Sequence, residues 1–330
     1  MRSSAPLIHF VVNERTDMDT SHIEVVLEAV IVAVTDNEPR ILTLRSSNHD
    51  GALPGLPSGA LDVTHDRTLD RGLRRWVRDQ AGIDVGYVEQ LYTFGDRYRH
   101  PAEREGGPRV LSIAYLALVR EEQPSAGAAW WPWYQFLPWE DHREGEAGVV
   151  AKVIAPALRA WIDQAESEAD HRLRAERAGV AFGLDETPWD PVRVLERYEL
   201  LYQLRLINEA RRGDSQEVSP VLPGDPMVLD HRRLVAAALA RLRGKLSYRP
   251  VVFELLPETF TLLTLQKLVE ALIGVRLHKQ NFRRLVERGG LVEGTGRRSR
   301  SGGRPAEVYR FRREVLRERP RPGFGLPARG

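Results

Sequence analysis

The pattern that most restricts the fold lies near the C-terminal end of the chain. Leu265, Leu268, Val269 and Leu272 recur at i, i+3, i+4 and i+7 just after Thr264, a good helix N-cap, and Gly274 follows as a stop. Val275–His278 reads as a turn, and Lys279–Arg288 as a second helix with Phe282, Leu285 and Val286 facing inward. Gly289–Gly290 ends that helix. Leu291–Gly294, a basic glycine-rich loop Thr295–Arg304 and a strand Ala306–Arg312 complete the run. Helix, turn, helix, then a hairpin with a basic tip is the order of a winged helix.

Charge sharpens this reading. From Arg241 onward 21 Lys+Arg face 8 Asp+Glu, a balance of +13, whereas the first 240 residues carry 27 basic and 38 acidic groups, a balance of −11. An overall charge of +2 therefore conceals an acidic body and a basic, polyanion-seeking tail. Only four basic residues are lysines (152, 245, 267 and 279), so the argument rests on the net balance and not on any single arginine. The absence of cysteine excludes a disulfide scaffold, a thiolate metal site and a cysteine nucleophile. No run reaches the ~20 apolar residues of a membrane helix. The opening stretch offers only the apolar patch Leu7–Val12, so no secretory signal is expected. A cytoplasmic, nucleoid-associated protein without membrane partners is expected.

A chain of 330 residues is long enough for two or three domains. Glu24–Val34 is a β-rich apolar run, followed by a turn at Asp36–Pro39 and a strand at Arg40–Arg45. Gly51–Gly59 reads as a loop, and Thr68–Ala81 as a helix with Leu69, Leu73, Trp76 and Val77 on one stripe. Tyr87–Phe94 and Arg109–Val119 follow as strands. Residues 142–225 change character: Val149–Ala178 and Pro191–Arg212 read as helices, and Gly213–Pro226 as a linker. The expected architecture is an α/β (α+β) sandwich domain over 1–141, a helical insertion and linker over 142–227, and a winged helix-turn-helix domain over 228–330.

Stepping about 100° per residue along the second tail helix places Gln280 and Arg284 opposite the apolar stripe, flanked by Asn281, Arg283 and Arg288. Lys279 lies nearer its edge. Arg, Gln and Asn can make bidentate contacts to purine edges, and recognition helices present such residues from their N-terminal half. Arg297, Arg298, Arg300 and Arg304 of the basic loop can reach phosphates or a minor groove. Lys279, Gln280, Asn281, Arg283, Arg284 and these four arginines are the expected contacts to double-stranded DNA.

A second stretch invites a test for phosphate chemistry. A Nudix box runs G-x5-E-x7-R-E-U-x-E-E-x-G-U, with U aliphatic, and its carboxylates bind divalent cations that activate water. Read back from Gly82–Ile83, this chain matches at Arg75, Val77, Gly82 and Ile83, but Trp76 and Gln80 replace glutamates and only Asp79 keeps a carboxylate. Gly59 also stands two residues too far from Arg75. One carboxylate cannot hold a metal cluster, so a Nudix-like fold without catalysis is expected, with no catalytic residue, metal ligand or cofactor assigned. The competing reading is a Nudix-type pyrophosphohydrolase with an accessory nucleic-acid domain, which would need Asp62, Asp66 or Glu103 beside Asp79. A third, a structural RNA-binding protein, would show no preference for palindromic DNA. Trp130, Trp131, Trp133 and Trp139 are read as packing. His65, His100, His142 and His171 are read as surface histidines, because no metal-ligand spacing links them.

The domain order, the stretch Gln90–Pro101 (QLYTFGDRYRHP) and the tail segments Phe253–Thr261 (FELLPETFT), Arg276–Arg284 (RLHKQNFRR) and Gly302–Phe311 (GGRPAEVYRF) resemble the Nudix-related transcriptional regulators of NAD metabolism, the NrtR type. The resemblance covers roughly residues 20–140 and 228–316. The long insertion is similar to that of the alphaproteobacterial NAD-biosynthesis regulator branch, NadQ. The resemblance implies a homodimeric repressor on palindromic operators of NAD synthesis or salvage genes. It also implies an adenine nucleotide effector: ADP-ribose, NAD or ATP. The effector pocket would include Phe94, stacking on adenine, and Arg97, Arg99 and Arg109, pairing with pyrophosphate. Where shorter relatives carry a proline after Gly-Asp, this chain has Arg97.

Overall fold

The computed structural model describes residues 23–45, 53–212, 224–299, 305–318 and 323–324. The β-branched run forms β1 (Ile23–Thr35), and Asp36 and Asn37, with φ of 53° and 63°, turn it directly into β2 (Glu38–Arg45). Two positive-φ residues are what a tight hairpin turn needs, and Asp and Asn adopt that region most readily after glycine. The Gly/Pro-rich stretch expected as a loop contains two short strands, β3 (Pro54–Gly55) and β4 (Ser58–Ala60). Next come α1 (Leu69–Ala81), β5 (Tyr87–Phe94), α2 (Pro101–Arg104), β6 (Arg109–Leu118), β7 (Ala128–Pro132) and α3 (Trp133–Phe136). Thr68 caps α1 by accepting from the Arg71 N–H, and Gly82 closes it in the left-handed region.

The sheet runs β3-β2-β1-β6-β5, with β4 on β1 and β7 on β2. β1 and β6 are parallel, and every other pair is antiparallel. Because side chains alternate along a strand, β1 feeds two cores. Leu27, Ala29, Ile31 and Ala33 pack on Leu73, Val77 and Ala81 of α1. Val30 and Val32 face the other way, into a larger cluster that runs without a break into the C-terminal helices.

Those helices are α4 (Ala155–Asp163), α5 (Glu168–Phe182), α6 (Val194–Gln203), α7 (His231–Leu246), α8 (Leu262–Ile273), α9 (Lys279–Gly289) and, after the hairpin β8 (Val292–Ser299) and β9 (Ala306–Phe311), α10 (Val315–Glu318). The expected helix over Val149–Ala178 is interrupted. A π-turn at Val150–Ile154 leads into α4, and a new helix starts where Ser167 accepts from the Asp170 N–H. The second expected helix is shorter than its apolar run, since α6 stops at Gln203 and Arg205 turns with φ 55°. Tyr198, Leu200 and Leu201 are buried in the cluster that also holds Leu234, Val235 and Ala238 of α7. Most of the expected linker, residues 213–223, lies outside the described residues. His142 is not the surface histidine expected. It is buried, 4.3 Å from the Trp189 ring, with Nε2 3.1 Å from the Trp139 carbonyl.

One ion cluster joins all these parts. Glu140, at the end of the short turn Pro138–Glu140, is fully buried and meets Arg197 of α6 at 2.6 and 2.9 Å and Arg243 of α7 at 2.5 Å. Arg243 also donates to the Leu272 carbonyl of α8 at 3.0 Å and to the Glu140 carbonyl at 2.9 Å. Arg197 donates to the carbonyls of Ala181 and Asp190 at 2.8 and 2.9 Å. Burial pushes the Glu140 carboxyl up, but the two guanidiniums outweigh it and hold the group below its usual 4.5. A folded-state value below the unfolded one gives stability that is present above pH 4.5 and lost as the pH falls through the folded value. Glu140→Gln, which keeps the shape and removes the charge, should therefore cost about 3–5 kcal/mol at neutral pH, because it leaves two guanidiniums buried without a counter-charge. Urea denaturation at pH 7 and pH 4 measures this. The gap between wild type and variant should shrink at the lower pH, and an undiminished gap would show that charge is not the cause.

Candidate functional site

The tail motif is built as a helix-turn-helix with a wing. Thr261, and not Thr264, caps α8: its hydroxyl accepts from the Thr264 N–H at 3.1 Å, so the helix begins a turn earlier than the apolar spacing implied. Gly274 ends α8 with φ 73°, and a Cβ there would lie 2.3 Å from the Glu140 carbonyl oxygen, so conformation and space both demand glycine. The turn into α9 is fixed by a buried pair that the sequence reading did not find. Glu270 Oε1 accepts from the Leu277 N–H at 2.9 Å and from Gln266 at 2.8 Å, and Gln266 also donates to the Leu277 carbonyl at 2.9 Å. A Gln and a Glu four residues apart inside an apolar helix were the available signal. Arg276 ties the same turn to Glu144 at 2.6 Å.

α9 lies with Phe282 and Val286 buried and Leu285 half-buried, while Lys279, Gln280, Asn281, Arg283 and Arg284 are all exposed. The stripe and the polar face thus fall where the spacing placed them. Behind the helix, Phe253 stacks on Phe311 at 4.3 Å and Phe282 on Phe324 at 5.9 Å. Phe260 and Tyr309 exchange backbone hydrogen bonds of 2.9 and 2.8 Å, which locks β9 to the start of α8. β8 extends to Ser299, so Arg297 and Arg298 stand exposed on a strand and not in a loop. Arg300 and Arg304 lie outside the described residues.

In the sheet domain, the positions where the degenerate box departs from the pattern carry structural tasks. Trp76 is half-buried over Gly59, where a Cβ would sit 2.1 Å from the indole, and its Nε1 donates to the Ala60 carbonyl at 2.9 Å. Gln80 clamps the backbone of Ser58 in both directions, at 3.0 and 2.8 Å. Arg75 forks onto Asp66 at 3.1 and 2.8 Å, and its hydrogen bond holds that carboxyl below the usual range. Asp62 is taken by His65, and Glu103 accepts from the N–H groups of Tyr98 and Val110. Asp79 is exposed. Asp62, Asp66 and Glu103 each have a partner of their own, and none of those partners is Asp79.

The four residues expected around an effector fall on the segment from β5 to β6, two of them under α7. The Phe94 ring is buried, with Arg99 5.5 Å and Arg233 of α7 5.1 Å from its centre. The Arg99 side chain is only 5 % exposed. It meets Asp230 at 2.7 and 2.6 Å and Glu28 at 3.2 Å, and it also donates to the Ser112 hydroxyl. His231, the first residue of α7, accepts from the Leu56 N–H on Nδ1 at 2.9 Å, which leaves Nε2 to donate to Glu28 at 3.2 Å. Arg97 is exposed over the Tyr98 ring, and Arg109 is exposed and donates to the Gly95 carbonyl at 2.8 Å. Phe94 and Arg99 are thus brought together, while Arg97 and Arg109 remain on the open surface. The buried Glu28 and His231 and the half-buried Asp230 escaped the sequence reading, although a glutamate inside the run VVLEAVIVAV was a visible irregularity.

A Nudix-like sheet domain joined through a shared core to a winged helix defines a DNA-binding transcriptional regulator. Residues 252–311 match the family described as the NrtR DNA-binding winged helix domain. Over 286 residues the chain is 40% identical to the "ADPR responsive transcriptional repressor NtrR" of Acinetobacter baylyi, covering 86% of this chain and 80% of the relative. The fold is similar to that of Shewanella oneidensis NrtR complexed with a 27mer DNA, with TM-score 0.54, 22% identity and coverage of 89% of this chain and 95% of that one. A MutT/nudix family protein from Enterococcus faecalis matches with TM-score 0.52 at 16% identity, covering 88% and 87% of the two chains. The chain belongs to the NrtR-type family of Nudix-related transcriptional repressors. These matches carry no distinction of the NadQ branch. Because the α8–α9 turn hangs on one buried carboxylate, Glu270→Ala should cost about 1–3 kcal/mol from the bonds left unmade. Thermal denaturation measures the loss, and a variant as stable as wild type would remove Glu270 from this role.

Proposed function

We propose that this chain is an adenine-nucleotide-responsive repressor that binds palindromic operators of NAD synthesis or salvage genes as a homodimer and hydrolyses no nucleotide. The observation that carries the reading is α9, whose buried Phe282 and Val286 leave Lys279, Gln280, Asn281, Arg283 and Arg284 exposed together. Arg297 and Arg298 on β8, with Arg300 and Arg304, would meet phosphates. The relative named for its response to ADPR makes ADP-ribose the first effector to test, ahead of NAD and ATP. Pairing in the site where a box would need free carboxylates supports the absence of catalysis.

The effector would engage Phe94, Arg97, Arg99 and Arg109. Arg99 and the Phe94 ring are now held by Asp230 and Arg233 at the start of α7, so a nucleotide reaching them must displace those contacts. α7 is continuous in packing with α8, which gives the displacement a route to α9. The ligand then favours one arrangement of the two winged helices over another, and ~1–3 kcal/mol of coupling changes operator affinity about five- to 150-fold.

The test is retardation of a promoter fragment from NAD-synthesis genes in moderate salt, with ADP-ribose, NAD and ATP titrated in. Specific retardation altered by one of them is the expected result; none at all would overturn the reading. Arg284→Ala should weaken operator binding by about 1–3 kcal/mol with a loss of base preference, whereas Arg298→Ala should weaken it evenly and lower the salt slope by about one. Asp79→Ala should leave retardation unchanged, and no Mg²⁺-dependent release of AMP from ADP-ribose is expected from the wild type.

A further inference from the structure

A cleft of about 630 Å³ opens between β5, α5, α6 and α7. That volume falls within the range of small-molecule sites, and none of the residues assigned above to operator or effector lines it. Val180 and Ala181 of α5, Leu195 of α6 and Ala240 of α7 give it an apolar floor. Tyr92 of β5 and Tyr248 beyond the end of α7, 44 % and 40 % exposed, also line it, with the Arg241 guanidinium 5.5 Å from the Tyr92 ring centre. The insertion contributes Arg177 of α5 and Arg193 at the start of α6 to the same lining.

The charged groups of the lining are unequally committed. Arg177, Arg193, Arg241 and Lys245 stand against Glu196 and Glu199, and Glu199 is already bound by Arg233 at 2.5 Å. Arg177 donates to the neutral oxygen of Gln203 at 2.6 Å. Arg193 lies 3.5 Å from Asp190 and 3.7 Å from Glu196, at the long end of ion pairing. Arg241 and Lys245 share a single carboxylate, Glu89. Glu89 and Asp190 thus neutralise part of the lining from behind, and the least committed guanidiniums are Arg177, bonded to a neutral amide oxygen, and Arg193, held only by long ion pairs.

We infer that this cleft binds a nucleoside monophosphate. The phosphate monoester dianion lies between Arg177 and Arg193, the two least committed guanidiniums of the lining, which offer paired donors to its oxygens. The planar base lies over the apolar floor against Tyr92 and Tyr248. Because the walls come from the sheet, the insertion and α7, the bound nucleotide braces α7 in the arrangement seen here. The site adjoins the Phe94–Arg99 segment, since the Tyr92 and Phe94 rings lie 6.2 Å apart and Arg233 joins Glu199 to the Phe94 ring. Its ligand and the effector proposed above occupy different places but make opposite demands on α7, so each weakens the other without competing for one site.

Isothermal titration of the full chain with AMP tests this, with ribose 5-phosphate and adenosine as the two halves of the ligand. One AMP per chain is expected, with a dissociation constant below about 1 mM. The double variant Arg177→Gln, Arg193→Gln should weaken AMP and ribose 5-phosphate alike, by about tenfold or more for lost charge-assisted bonds. Tyr248→Ala should weaken AMP and adenosine but leave ribose 5-phosphate unchanged. All three side chains are on the surface, so unchanged melting temperatures are expected and show that the fold persists. Absence of AMP binding, AMP binding indifferent to these variants, or complete displacement of AMP by ADP-ribose would each overturn the inference.

Discussion

The contact on which the architecture turns is a buried carboxylate between two buried guanidiniums. Glu140 ends the sheet domain's last turn, Arg197 comes from the insertion, and Arg243 from the helix that leads into the DNA-binding end. Each guanidinium spends its remaining donors on backbone carbonyls, so a charge-rich cluster sits in the core with its hydrogen-bonding capacity largely met. Such a cluster contributes less to net stability than its charges suggest, since desolvation opposes the attraction. Its value is in specificity: the three bodies fit together only in the arrangement that gives each charge its partner.

α7 carries this logic along its length. Its start is bound to the sheet through Asp230–Arg99 and His231–Glu28, and Arg232 is paired with the buried Glu209. Near its end Arg241 and Lys245 hold Glu89 of β5, and Arg243 belongs to the Glu140 cluster. The pairs at the start and those at the end therefore touch different sheet residues, so the two ends of one rigid helix can be loosened by different events. A rigid element with discrete contacts at each end suits transmission better than a graded deformation of a packed core.

Much of this was legible in the sequence, for physical reasons that differ by region. The period of Leu265, Leu268, Val269 and Leu272, and the glycines that follow, fix helix and turn because local sterics decide both. Thr68 and Gly82 likewise announce the ends of α1. The cap of α8 was placed one turn late because Leu262, which starts the helix, was not counted in the stripe. The helix over Val149–Ala178 was overextended because composition alone does not reveal the break before Ser167. The polar core was not legible. Glu140, Arg197, Arg232, Arg243 and His142 are ordinary surface residue types whose burial is set by partners tens of residues away. In a chain rich in arginine, nothing local marks which few face inward. The same holds for Arg99, whose neighbour Arg97 is exposed while it is enclosed.

The larger apolar cluster has a consequence for how such a chain can change over time. It takes in Val30 and Val32 of the sheet, Trp133 and Phe136 beyond it, and Leu265, Leu272 and Phe282 of the helix-turn-helix, with no seam between them. A winged helix joined by a linker can be exchanged between genes as a cassette. This one cannot be lifted out without exposing half of another unit's interior and stranding its buried charges. Its sensory and DNA-facing halves are therefore expected to diversify together, residue against residue, by compensated substitution across the shared interior and not by shuffling.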